Sequence, residues 1–80
     1  MSMVVAVLAR QKAIKIIKQQ LKSRGIKLSQ VQPKAVKAAA NDYLYTHPEL
    51  IEEVKRTVQL VPEFRTLWEK EQRELRRIRS

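Results

Sequence analysis

A proline opens each of three consecutive segments of this chain, at Pro33, Pro48 and Pro62, and its single glycine, Gly25, closes the segment before them. Proline lacks an amide hydrogen and has a fixed φ, so it interrupts a helix interior but suits the first turn of a new helix. A glycine just past a periodic run supplies the left-handed backbone that ends one. Between these breaks apolar residues recur at spacings of three and four, the helical period. The sequence therefore predicts an all-α fold, a single domain of about four helices at approximately 4–24, 33–45, 47–60 and 62–79, joined by short connectors. Eighty residues suffice for one domain with a modest core, which self-association would enlarge.

In the first helix Val7, Ile14, Ile17 and Leu21, with Ala13 beside them, form the predicted apolar face. The β-branched pair Val4–Val5 favours fraying or extension at its start. In the connector, Ser29 and Gln32 have capping-box spacing ahead of Pro33. The second helix groups Val36, Ala40, Tyr43 and Leu44, and its alanine run at 38–40 permits close approach of a neighbouring backbone. Thr46 and Glu49 repeat the capping-box spacing around His47 and Pro48. The third helix is expected to bury Leu50, Ile51, Val54 and Val58. In the fourth, Phe64, Leu67, Trp68, Leu75 and Ile78 make a stripe that Glu71 interrupts, and the mostly charged last turns project or fray.

The absence of cysteine removes a disulfide framework, a thiolate zinc site and a cysteine nucleophile together. His47 is the only histidine, and Glu49, Glu52 and Glu53 near it read as negative charge at the positive end of a helix. One glycine permits no glycine-rich phosphate loop, and no Ser, His and acid set stands in a catalytic motif. These features point away from an enzyme, a metal centre and a bound cofactor. The apolar run at 3–9 is too short to span a bilayer and lacks the flanks of a signal peptide, so a soluble, cytoplasmic chain is expected.

Charge narrows the choice of partner. The net charge is +9, and the whole excess lies in residues 1–41, which hold nine basic side chains and no acidic one. At 100° per residue Lys15, Lys18 and Lys22 fall within an arc of about 60°, and Lys12 and Gln19 extend it. Arg24 and Lys27 continue the row past the helix end, while Arg10 sits near the apolar edge. A solvated helix ordinarily mixes signs to form pairs three and four residues apart, and the first helix has no acid of its own. An anionic partner is expected, with nucleic acid favoured and DNA placed ahead of RNA. Lys12, Lys15, Lys18, Lys22, Arg24, Lys27, Lys34 and Lys37 are the predicted phosphate contacts. Gln19 and Asn41 are candidates for base contact, and Tyr45 for stacking on an exposed base.

A second expectation is a protein-interaction module: an adaptor, assembly subunit or inhibitor that sets Phe64, Leu67 and Trp68, together with the basic face, on an acidic or hydrophobic groove of a larger protein. The same three residues also suit a role in closing the core. Arg73, Arg76, Arg77 and Arg79 are explained by the negative end of the fourth helix, with Glu69 and Arg73 at pairing distance in sequence. A membrane surface ranks last, because the first helix is needed for the core of so short a chain. A homodimer is compatible with the partial heptads of the first helix and with the length of the fourth.

Overall fold

In the computed structural model, which describes residues 2–79, α1 spans Met3–Ser23. Its start is anchored rather than frayed. Ser2 is the N-cap, and its Oγ accepts from the Val5 amide at 3.4 Å. Glu71 reaches in from the last helix, its Oε1 and Oε2 accepting from the Met3 and Val4 amides at 2.7 and 2.9 Å. Three of the four amides that a helix start leaves open are thereby satisfied. The other end closes at Gly25, whose φ is +77°. The Ile26 amide donates to the Leu21 carbonyl and the Gly25 amide to that of Lys22, both at 3.0 Å, the paired bonds of a Schellman turn.

One 3-10 turn, Leu28–Gln30, occupies the connector, and α2 (Pro33–Thr46), α3 (Pro48–Leu60) and α4 (Pro62–Arg79) follow, each opening on its proline. Neither predicted capping box forms. Ser29 lies inside the 3-10 turn, and Gln32, at the N-cap of α2, makes no side-chain cap bond. Thr46 is the last residue of α2, its Oγ1 donating to the carbonyls of Asp42 and Tyr43 at 3.0 and 3.2 Å, so it finishes one helix instead of starting the next. A proline in the first turn leaves one fewer amide in want of a partner, which weakens the need for a capping side chain.

The spine of the molecule is α1, which packs on all three other helices, whereas α2 and α4 do not meet among the described residues. Around its N-terminal half Val5, Ala9, Val54 and Val58 are buried, with Phe64 and Trp68 packed against them. Around its C-terminal half Ala13, Ala40 and Leu50 form a second cluster, flanked by Ile14, Ile16 and Ile17, and Leu44 packs against both. The most buried face of α1 is thus Val5, Ala9 and Ala13, a correction to the predicted one. Val7 is 46% exposed, and Ile14, Ile17 and Leu21 are half-buried. Close approach of two neighbouring helices selects the smallest side chains for the seam, and the isoleucines flank it.

α4 continues for about two turns past Glu71, the residue that meets the start of α1, and this overhang elongates the molecule. Its extents are 50 × 24 × 21 Å and its radius of gyration is 15.2 Å, against about 12 Å for a compact domain of this length. Among the described residues no helix is long and apolar enough to cross a membrane.

Candidate nucleic-acid interface

On α1 one stripe changes character along its length. Val4, Leu8, Gln11, Lys15, Lys18 and Lys22 succeed one another at spacings of four, three, four, three and four, so they lie along one side of the helix. Beside Val4 and Leu8 stand Phe64, Leu67 and Glu71 of α4. Beyond that cover the stripe turns to lysine. Lys15, Lys18 and Lys22 are all exposed and point roughly 140–200° round the helix from the buried Ala13. The residues that give α4 its seat and the residues that make the basic row are thus one continuous stripe, a signal present in the sequence but masked there by the neighbouring apolar residues Val7 and Ile14.

Lys12 departs from the predicted row. It forms an ion pair with Glu53 of α3, so the acid-free α1 borrows a carboxylate from a neighbouring helix. That contact and the positive charge of Lys12 hold the Glu53 carboxyl below its ordinary range. Of the eight predicted phosphate contacts, Lys12 is thus the one that the structure holds in an ion pair. Arg10, Lys15, Lys18, Lys22, Arg24, Lys27, Lys34 and Lys37 make no ion pair among the described residues, and all are exposed. The Schellman turn folds the chain back at Gly25 and so carries Arg24 and Lys27 round the end of α1 remote from α4, before Lys34 and Lys37 enter on α2.

Gln19 is exposed on α1 beside Lys15 and Lys22. Asn41 and Tyr45 lie elsewhere: they border a hollow with Ala6, Arg10 and Ile51, on the side of α1 away from the lysine stripe, although Tyr45 stays in line with Lys34 on α2. Tyr45 is 89% exposed, the most open large side chain of the molecule's described apolar set. Of the predicted interface trio, Phe64 and Trp68 pack against the core, and Leu67 is 53% exposed beside Met3 and Val7.

Other titratable groups take structural positions. The His47 ring stacks on that of Tyr43 with centroids 4.0 Å apart, and its Nδ1 lies 3.0 Å from the Tyr43 carbonyl oxygen and 3.0 Å from Thr46 Oγ1. It joins α2 to α3 as the C-cap of one and the N-cap of the other. No group of three or more histidine or acidic side chains among the described residues is placed to hold a metal ion. Glu69 pairs with Arg65 at 3.0 Å and not with Arg73 as the spacing suggests. Helical side chains lean toward the N-terminus, which lays Glu69 over the turn that carries Arg65. No family model, curated protein or solved structure matches this chain.

Proposed function

We propose that this chain is a small nucleic-acid-binding protein, with duplex DNA the favoured ligand, and that the C-terminal half of α1 with the adjoining connector and α2 supplies its contact surface. The observation that carries this reading is the unpaired row Lys15, Lys18 and Lys22 on the side of α1 opposite the core, continued by Arg24, Lys27, Lys34 and Lys37. Flexible lysines follow a phosphate backbone without exact geometry, and the gain is chiefly release of condensed counterions. Such contacts position a protein on the duplex and carry little sequence information.

The test is fluorescence anisotropy of labelled random-sequence duplex DNA at low and near-physiological salt, with duplex RNA in parallel. Tight binding at low salt that weakens steeply as salt rises is expected, with DNA bound more tightly than RNA. The double substitution Lys15→Glu and Lys18→Glu is expected to reduce affinity at least about a hundredfold at low salt, with helix content by circular dichroism unchanged. Equal binding by this variant and the parent chain would assign the row to solubility alone.

A further inference from the structure

Away from the lysine stripe, α3 and α4 diverge over the start of α1 and leave a trough of about 680 Å3. Its lining includes Val5, Val58, Leu60 and Trp68, so the floor is apolar. Leu60, the last residue of α3, is 81% exposed although it is large and aliphatic. Little among the described residues covers it, whereas Val58 two residues earlier is fully buried. Trp68 is half-buried, with its inner side against the core cluster and its outer side in the trough.

The walls are basic. Glu52, Lys55 and Arg56 line the α3 side, and because Glu52 offsets Lys55, the net positive charge of that wall is that of Arg56. On the α4 side Trp68 and Gln72 continue the trough into a second hollow bordered by Arg73 and Arg76. The acids present are already engaged: Glu52 with Lys55 at 3.2 Å and Glu69 with Arg65 at 3.0 Å. Arg73 and Arg76 make no ion pair among the described residues.

An apolar floor between cationic walls complements an amphipathic helix whose apolar ridge is bordered by carboxylates. We infer that the α3–α4 trough docks an acidic amphipathic helix of a partner protein, with Leu60 and Trp68 receiving its apolar ridge and Arg73 and Arg76 facing its acids. The α3 wall, residues 52–60, rises about 12 Å, which accommodates anchors spaced i, i+4 and i+7 on the incoming helix. A phosphate backbone is a poorer occupant, because it offers nothing to desolvate the leucine and the indole. A second copy of a chain carrying +9 meets like charge at the same walls. The inference is independent of the lysine stripe, which lies round the other side of α1.

Trp68 is the only tryptophan, so its fluorescence reports on this site alone. The probe is a designed peptide of about four helical turns with leucines on one ridge and glutamates elsewhere, labelled for anisotropy. Two controls have the same composition with the leucines dispersed, and lysine in place of glutamate. The acidic ridge peptide is expected to bind and to shift Trp68 emission, while both controls bind at least about tenfold more weakly. Leu60→Glu, and separately Arg73→Glu with Arg76→Glu, are expected to weaken it by about tenfold or more, with helix content retained because all three residues are exposed. Equal binding of the dispersed peptide, or an unchanged affinity in Leu60→Glu, would overturn the inference. Loss of duplex-DNA binding in Leu60→Glu would give the trough to nucleic acid and overturn it equally.

Discussion

Glu71 sits in an apolar stripe yet accepts hydrogen bonds from two amides at the start of α1. Burial disfavours its ionised form, but the bonds from Val4, Met3 and the Ser2 hydroxyl outweigh burial and bring the carboxyl below its ordinary value. The folded chain therefore holds fewer protons at this group than the unfolded chain does in acid. The resulting stabilisation is complete above the ordinary glutamate value of about 4.3 and is lost as pH falls through the lower, folded value. Glu71→Gln is expected to cost about 1 kcal/mol at neutral pH, the usual scale of a capping contact. Urea unfolding of both chains from pH 7 to pH 3 should show that difference shrinking; a difference constant with pH would contradict the capping role. A second residue-scale expectation concerns Glu53, whose ion pair with Lys12 withholds one cation from the basic face. Glu53→Gln should tighten DNA binding and steepen the dependence of log K on log salt by about 0.9, the increment for one further phosphate contact.

Among the elements, α1 and α2 owe their closeness to alanine. Ala13 and Ala40 are both fully buried in one cluster, and neither leaves room for a longer side chain. Ala40→Leu is accordingly expected to destabilise by about 2 kcal/mol through overpacking, read as a lower urea midpoint with an unchanged slope. Failure of this substitution to destabilise would mean that the seam can open at little cost. At the other end, α4 follows a heptad-like row, Phe64, Trp68, Glu71, Leu75 and Ile78, whose first two members pack on the core and whose third caps α1. Past Glu71 the row outruns α1. Leu75 and Ile78 are accordingly 40% and 79% exposed, yet the backbone remains helical through Arg79.

At the scale of the whole molecule, two surfaces of different character are held apart by the length of α1. The lysine stripe lies on the C-terminal half of α1, and the α3–α4 trough lies beside its start at Ser2 and Val5, in a molecule 50 Å long. Effects of mutations well separated in space and sharing no partner usually add. Reversing Lys15 and Lys18 is therefore expected to remove DNA binding and leave the Trp68 response to the acidic peptide within about twofold of the parent, since sites this far apart couple weakly. Leu60→Glu should show the converse pattern, with DNA binding within about twofold of the parent, and loss of the peptide response in the lysine variant would mean that the two surfaces are coupled.

The sequence by itself determined the all-α class and the positions of the breaks, because Pro33, Pro48, Pro62 and Gly25 act on their own backbone and need no distant partner. It also located the positive charge, since Lys15, Lys18 and Lys22 share a side of α1 by helical period alone. The three-dimensional structure decided which side of α1 is buried, because small alanines win the seam only once two other helices approach. It decided that Lys12 is paired, by bringing Glu53 to it from 41 positions away. It also turned Glu71 from an interruption into the cap of a helix that begins 68 positions earlier. Capping boxes misled for the same reason: the spacing of Thr46 and Glu49 is local, but the hydroxyl had nearer carbonyls to satisfy at the end of α2. Local backbone chemistry is written along the chain, whereas burial and charge pairing depend on which surfaces meet.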